Sequence, residues 1–248
     1  YRMPLMSWAD ANTLGVIAVE KGQYIFWLYD LTTRTKLPRP LEKFNNVRSF
    51  NFSGNGRLAV LSADLEGQND LYLVSSRRDR IKRLTNDLFD DLDPSFIPNS
   101  NSLVFSSNRS TDTLNVVQRG MEKVSANDYN LFVFDLDTTR NTVKRITNSL
   151  GRDFYPYAQD ANTFYYLSDQ RGITNIFRFD LSTGIYTQVT NYASGIREFD
   201  LDFTSHLLSF VATKRMSEDI FVVPNFDYTK HVFTPLTRRK ELLQARTI

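Results

Sequence analysis

The sequence predicts an all-β chain, a β-propeller built from four-stranded antiparallel blades, and three observations carry that prediction. The first is a recurring phrase, an aromatic-rich strand that enters a polar turn and returns as a strand closing on Thr-Asn. It reads LYLVSSRRDRIKRLTN at 71–86, LFVFDLDTTRNTVKRITN at 131–148 and IFRFDLSTGIYTQVTN at 176–191, with looser copies at 25–42 and 220–238. The second is spacing. The phrases begin at Ile25, Leu71, Leu131, Ile176 and Ile220, which lie 46, 60, 45 and 44 residues apart. An upstream aromatic marker, Trp8, Phe52, Phe96, Tyr157 and Phe203, is spaced 44, 44, 61 and 46. Both series lengthen once, at the same interval, so a single insertion interrupts a regular array between Phe96 and Leu131. The third is strand chemistry: short β-branched and aromatic runs alternate with Gly, Asn, Asp and Ser clusters, with no sustained 3.6-residue period. A period of about 40–45 residues marks a propeller or solenoid. Four strands per unit select the propeller, whose radial repetition protects strand edges.

Unit 2 supplies the pattern for the rest. Its strand a is VRSFNF (47–52), followed by an SGNG turn; strand b is RLAVLSA (57–63); strand c is LYLVS (71–75); strand d is IKRLT (81–85). Near-continuous apolar runs such as SLVFSS and TFYYLS suit strands packed on both faces, and alternating ones such as VKRIT suit an outer edge. Five units follow, at about 1–44, 45–88, 89–149, 150–193 and 194–238, which gives one propeller domain over 1–238. The tail, RKELLQARTI (239–248), is predicted as a short helix or a lead into a following domain. In such a blade the a–b and c–d turns share the lower face, and the b–c and d–a loops share the upper one. The insertion, 110–128, falls between strands b and c of unit 3 and is therefore expected on the upper face. Ser107 to Leu131 spans 24 residues where Ser168 to Ile176 spans 8.

Composition excludes several classes. Thirty basic and 28 acidic side chains give a formal charge of +2 without single-sign blocks, which argues against binding driven by nucleic-acid phosphates. With no cysteine there is no disulfide, thiolate metal site or thiol nucleophile. No apolar stretch of about 18 residues is long enough for a membrane-spanning helix. Because Tyr1 opens directly in repeat-like sequence, the chain reads as a piece of something longer. Nineteen Phe and 12 Tyr supply material for a large core.

The segment DDLDPSFIPNSNSLVFSSNR (90–109) resembles the PD40 repeat of TolB-type propellers at Asp93, Pro94, Phe96, Pro98, Val104, Phe105, Ser107, Asn108 and Arg109. Unit 4 repeats its ending as Ser168, Asp169, Arg171 and Gly172. The resemblance covers about 1–238 and is strongest in units 2 to 4. The Pro-Asp-Gly turn of the repeat is eroded to Pro98-Asn99-Ser100, Gly54-Asn55-Gly56 and Gln159-Asp160-Ala161, and Asn and Gly serve a tight turn equally well. The family ring has six blades where five are counted here, which leaves two expectations: five blades that close a ring on their own, or part of a six-bladed ring with the further blade on the N-terminal side, the second being slightly favoured. In texture the chain is similar to the propeller portion of large TolB-like envelope proteins of Gram-negative bacteria, some of which carry a metallopeptidase-like region before the propeller. The resemblance therefore implies the periplasm or outer-membrane periphery and a protein partner associated with the outer membrane.

Candidate chemistry is sparse. The sequence holds no HExxH, GxSxG, Walker or GxGxxG motif. Its two histidines, His206 and His231, fall in predicted turns where a solvent-exposed role outweighs catalysis. Axial carboxylates of a glycan-active propeller would come from Asp91, Asp93, Asp153, Glu198 and Asp200, but capping of local backbone N–H groups is the expected role of Asp93 and its counterparts. Asp90, Asp91 and Asp93 together offer oxygen ligands for Ca²⁺ without the glycine-spaced loop such a site usually shows. Repetition assigns Asp30, Asp135 and Asp180 to turn formation and the five aromatic markers to packing between blades. Asn108, Arg109, Asp169 and Arg171 are expected to pair locally.

What does not repeat points to function. The upper face is expected to combine the insertion with Asp90, Asp91, Asp93, Arg152, Asp153, Arg197 and Glu198, with Thr113, Arg119 and Met121 as contacts from the insertion itself. A mixed-charge face of this kind suits a protein partner better than a small apolar ligand. The leading expectation is a non-catalytic interaction scaffold without a cofactor. The alternatives are a glycan-active enzyme using Asp93, Asp153 and Asp200, and a gating propeller attached to a peptidase outside this chain.

Overall fold

A computed structural model describes residues 3–65, 67–115 and 128–245. Five antiparallel meanders follow one another in propeller order. Blade 1 comprises β1 (Leu5–Trp8), β2 (Thr13–Glu20), β3 (Gln23–Asp30) and β4 (Thr35–Pro40); blade 2 comprises β5 (Asn46–Phe52), β6 (Leu58–Asp64), β7 (Asn69–Ser75) and β8 (Ile81–Arg83). Blade 3 comprises β9 (Asp91–Phe96), β10 (Ser102–Ser107), β11 (Asn130–Asp135) and β12 (Lys144–Arg145). Blade 4 comprises β13 (Asp153–Ala158), β14 (Thr163–Ser168), β15 (Asn175–Asp180) and β16 (Ile185–Gln188). Blade 5 has three strands, β17 (Glu198–Asp202), β18 (Leu207–Lys214) and β19 (Ser217–Pro224), before the terminal helix α1 (Arg238–Ala245). No helix among the described residues is long and apolar enough to cross a membrane.

The recurring phrase has a hydrogen-bonding explanation. Thr85 Oγ1 accepts the N–H of Leu71 at 3.0 Å and donates to Asp70 Oδ1 at 3.2 Å. In blade 3, Thr147 Oγ1 accepts the N–H of Leu131 at 2.9 Å and faces Asn130 Oδ1 at 3.5 Å. In blade 4, Thr190 Oγ1 accepts the N–H of Ile176 and donates to Asn175 Oδ1, both at 2.9 Å. The threonine thus satisfies an N–H near the start of strand c where strand d diverges from it, a group that would otherwise be buried unpaired. The aspartates at the far end of strand c cap the turn, as predicted. Asp30, Asp135 and Asp180 each accept two backbone N–H groups two and three residues ahead.

Successive blades share cores. Phe50 and Phe52 pack on Phe26 between blades 1 and 2, Leu103 and Phe105 join Leu71 and Leu84 between blades 2 and 3, and Tyr166 and Phe164 join Val104 and Leu131 between blades 3 and 4. Blade 5 closes on blade 4 through Tyr165, Leu167, Leu208 and Phe210. Polar stitches repeat as well. Ser62 donates to the carbonyl of Asp91 at 2.7 Å, and Ser106, one blade on, donates to the carbonyl of Asp153 at 2.5 Å. No apolar cluster among the described residues joins blade 5 to blade 1. Trp8, expected between blades, is therefore 57% exposed, because the face of blade 1 it belongs to carries no neighbouring sheet.

Two other expectations are corrected. The segment read as strand d of blade 5 does not pair with β19. Phe226 and Tyr228 are buried against Tyr165, and the single proton of the Tyr228 hydroxyl is shared between the carbonyls of Asp202 and Leu207, at 2.8 and 2.9 Å. This anchor directs the chain away from its own blade: Val232 N–H donates to Gln188 O of blade 4 at 2.9 Å, and Thr237 N–H to Arg171 O at 3.1 Å. Thr237 of the fifth copy starts α1 instead of closing a strand, and Lys240 in that helix pairs with Asp169 at 3.2 Å. The insertion also begins differently. Thr113 bridges Thr142, Leu114 is buried beside Val143 and Phe134, and Asp112 pairs with Arg145. Its first residues run along the outer rim of blade 3, drawn there by the apolar Leu114, so Thr113 lies away from the upper mouth.

Candidate functional site

The axis of the ring is shaped by β-bulges, where one extra residue on the inner strand re-aims a side chain. In blade 2 the register slips between Val47 and Ser49, which leaves Arg48 over. In blades 3 and 4 it slips around Asp93-Pro94 and Tyr155-Pro156, and both Asp93 and Tyr155 adopt φ of 50°. Proline follows each of these positive-φ residues because its own φ is fixed and it needs no ladder donor. The Asp-Pro signature is thus the visible trace of the bulge. Inner strands β1 and β17 pair without a slip.

Consecutive blades accordingly send a guanidinium, a carboxyl and a phenol toward the axis. Above them lies a cavity of about 430 Å³ lined by Arg48, Asp93, Tyr129, Arg152 and Tyr155 with Leu5, Ile17 and Tyr24 of blade 1. Below Asp93 and Tyr155 the axial space opens into a second cavity, of about 750 Å³, lined by all five blades. Asp93 Oδ2 accepts the N–H of Tyr155 at 3.4 Å, a link between blades where a local cap was expected. Burial pushes the Asp93 carboxyl up to about 6, against the opposing pull of the Tyr155 N–H, Arg48 and Arg152. Burial, then the carboxylates of Asp93 and Glu198, push the Tyr155 phenol up.

A polar chain rims the upper mouth. Arg48 Nε donates to Asn69 Oδ1 at 2.7 Å, Asn69 Nδ2 to Asp90 Oδ1 at 2.6 Å, and the Asp90 N–H to Asn108 Oδ1 at 2.8 Å. Arg152 lies over the rings of Tyr129 and Phe154, 5.4 and 5.5 Å from their centres, and its N–H donates to Asp169 Oδ1 at 3.0 Å. Tyr129 ends the insertion and is fixed to the mouth by backbone pairing with the Gly151–Asp153 loop. Arg197 and Glu198 of blade 5 are exposed, and Arg197 pairs with Glu218.

Not every candidate residue reaches this surface. Asp91 is fully buried and receives both 2.8 Å contacts of Arg109 Nη2, while Arg109 also reaches Asp87 at 3.4 Å and Ser107 at 3.1 Å. Burial pushes the Asp91 carboxyl up, and the two carboxylates hold Arg109 charged. Asp153 is equally enclosed. Ser168 donates to its Oδ1 at 2.6 Å, and burial pushes it up to about 6. Both are removed from partner contact because each begins an inner strand beneath a neighbouring blade. The carboxyls of Asp90, Asp91 and Asp93 turn to Asn69, Arg109 and the Tyr155 N–H and do not converge on a common point for a cation. Arg119 and Met121 lie outside the described residues. Asp90, Asp93, Arg152, Arg197 and Glu198 remain on the upper axial side. Arg48, Asn69, Tyr129 and Tyr155 join them unpredicted. The second Pro of the bulge, Pro156, was the available signal for Tyr155.

No protein-family model matches the chain. Residues of the chain are 25% identical over 168 positions to the Tol-Pal system protein TolB of Helicobacter hepaticus, an alignment that spans 54% of this chain and 40% of that protein. Among solved structures, TolB from Acinetobacter baumannii superposes with a TM-score of 0.69 at 16% identity, over 89% of this chain and 51% of that one. A putative TolB from Agrobacterium tumefaciens gives 0.67 at 17% identity, over 89% and 76%. The fold is that of a TolB-like β-propeller. The chain matches less than half of its curated relative.

Proposed function

We propose that this TolB-like β-propeller is a non-catalytic docking module of the bacterial cell envelope, on its periplasmic side, and that a protein partner seats on the upper axial mouth. The observation that carries this reading is the set of three consecutive bulges, which place Arg48, Asp93 and Tyr155 around one open cavity. The groups are of mixed charge and come from separate blades; Asn69 of its own blade holds Arg48 and is tied to Asp90 of blade 3, and the Tyr155 N–H of blade 4 holds Asp93, so the mouth is preorganised for a protruding polar segment. Two of the carboxylates an axial acid–base pair would draw on, Asp91 and Asp153, are sealed beneath neighbouring blades, which weighs against the glycan-active alternative. The distant similarity to TolB supports both the binding role and the envelope location.

Residues 110–115 and 128–129 belong to the architecture of blade 3, so a test must spare them. The chain with 116–127 replaced by Gly/Ser of equal length, and separately Arg48→Glu/Arg152→Glu, are compared with the unmodified protein for cross-linked partners in a periplasmic extract. Loss of a partner from Arg48→Glu/Arg152→Glu at unchanged melting temperature is the expected result. Full retention would sink the axial assignment, and loss only on replacing 116–127 would move the contact to the insertion.

A further inference from the structure

The fold gathers cations that the sequence scatters. On the lower face of blade 2, Arg57 of the a–b turn and Arg77, Arg78 and Arg80 of the c–d turn stand side by side, because Ser76 donates through both N–H and Oγ to the Arg57 carbonyl at 2.9 and 3.0 Å. Blade 1 is tied to the same turn: the Arg39 guanidinium donates to Ser75 O, and Gly56 packs on the Ala9 carbonyl closely enough that a Cβ could not enter. Exposed Arg34 and Lys36 of blade 1 and Lys82 of β8 extend the patch to the outer rim. Arg39 aside, none of the other seven cations makes an ion pair among the described residues. Asp10, Asp30 and Asp79 are the acids among them, so the patch carries an excess of four charges in a chain whose formal total is +2.

The same face of blades 3 to 5 is acidic. Asp135, Asp137, Asp160, Asp180, Asp202 and Asp227 occupy its turns, and most are engaged in capping backbone N–H groups. The lower side is therefore polarised, cationic under blades 1 and 2 and anionic under the rest. Apolar side chains stand among the cations at the level of the turns: Trp8 ends β1 at 57% exposure, and Leu31 tops the adjacent c–d turn at 43%; on the acidic half Ile185 follows the c–d turn of blade 4 at 59%.

We infer that the lower edge of blades 1 and 2 rests on an anionic phospholipid surface. Arginines on turn tips match lipid phosphates by forked hydrogen bonds, and an exposed Trp with a Leu between cations is the pattern of a side that settles at the headgroup boundary. An acidic protein would be expected to require a pocketed anchor residue; Arg80 borders a cavity of about 720 Å³ with Arg39, Glu42 and Asp79, whereas Arg34, Arg57, Arg77 and Arg78 sit on turns. The acidic turns of blades 3 to 5 would be repelled, so contact is edge-on and leaves the upper mouth free.

The test is co-sedimentation with vesicles of phosphatidylcholine containing about a quarter phosphatidylglycerol, at low ionic strength, where surface electrostatics are least screened. The protein is expected to bind these and not pure phosphatidylcholine. Arg77→Gln/Arg78→Gln/Arg80→Gln should weaken binding at least about tenfold, while Arg140→Gln/Lys230→Gln, on the acidic half, should not. Trp8→Ser should weaken vesicle binding but leave binding to polyglutamate unchanged. The inference is overturned by failure to bind the anionic vesicles, by equal binding to neutral ones, or by indifference to the arginine variant at preserved melting temperature. Tighter binding to polyglutamate than to vesicles would also overturn it and assign the patch to an acidic protein. So would displacement from vesicles by inorganic phosphate beyond the effect of chloride at matched ionic strength, which would indicate a small-anion site.

Discussion

Replacing Asp153 by Asn should stabilise this propeller at neutral pH. Asp153 is fully buried at the start of β13, receives one hydroxyl at Oδ1 and has no hydrogen-bond partner at Oδ2. Burial raises its carboxyl from 3.8 to about 6. An acid raised in this way favours the folded state in its protonated form: the contribution is complete below about 3.8 and is lost as pH rises through about 6. A tenfold change in a proton-binding equilibrium is worth about 1.4 kcal/mol, so the ionised form costs roughly 3 kcal/mol at pH 7.5. Lowering the pH to 5.0 should recover about 1.4 kcal/mol of that, since the folded group is then largely protonated and the unfolded one is not. The amide of Asp153→Asn presents the neutral shape at every pH and still accepts the Ser168 hydroxyl. Urea denaturation of both proteins at pH 7.5 and 5.0, with equal slopes, should show Asp153→Asn more stable by about 1–2 kcal/mol at pH 7.5, after allowing for imperfect amide pairing. The advantage should shrink at pH 5.0. Asp70 and Asp93 are also raised to about 6, so the variant should keep part of the wild-type gain on acidification. A variant less stable than wild type at pH 7.5, or a wild type that loses stability from pH 7.5 to 5.0, would refute the reasoning.

Three further outcomes are expected. Arg109→Met should cost about 3–5 kcal/mol in urea titrations at pH 7.5, because Asp91 and Asp87 are left buried beside an apolar side chain, and less at pH 5, where Asp91 can take up a proton. Thr190→Val should cost about 1–3 kcal/mol by leaving the Ile176 N–H unpaired and removing one of the two donors to Asn175 Oδ1, and the corresponding amide should exchange faster with deuterium. Gly172→Ala should loosen the strap over blade 4, since Gly172 has φ of 96° and its added Cβ would fall on Thr237. The strain is of order 1–3 kcal/mol, and limited proteolysis should then cut within 225–237 before it cuts any blade.

The order of blades, their period and the place of the insertion are legible because each repeat encodes the same local pairing. A threonine at the end of strand d and an aspartate at the end of strand c are needed once per blade, so they recur. The exceptions arise where a residue's environment is supplied by another blade. Trp8 obeys the marker pattern and is exposed because no sheet covers it. HVFTPLTR resembles a fourth strand, but Tyr228 has more to gain in the aromatic pocket between blades 4 and 5, and the chain follows it. Asp91 and Asp153 look like their surface neighbours Asp90 and Arg152, one position away. Alternation along an inner strand places adjacent residues on opposite sides, and the neighbouring blade then encloses one of each pair.

For the site, the sequence by itself determined which loops reach the upper face and that Asp93 and Arg152 would be among them. It determined the fold class, because hydrogen-bonding requirements within a blade are local and repeat with the chain. Tertiary structure alone decided which way Arg48, Asp93 and Tyr155 point, because a bulge exists only relative to a partner strand. It also decided that Arg57 and Arg77, twenty residues apart, share one cationic edge in a chain with almost no net charge. Charge and concavity are summed over space, and the sequence orders residues along a line.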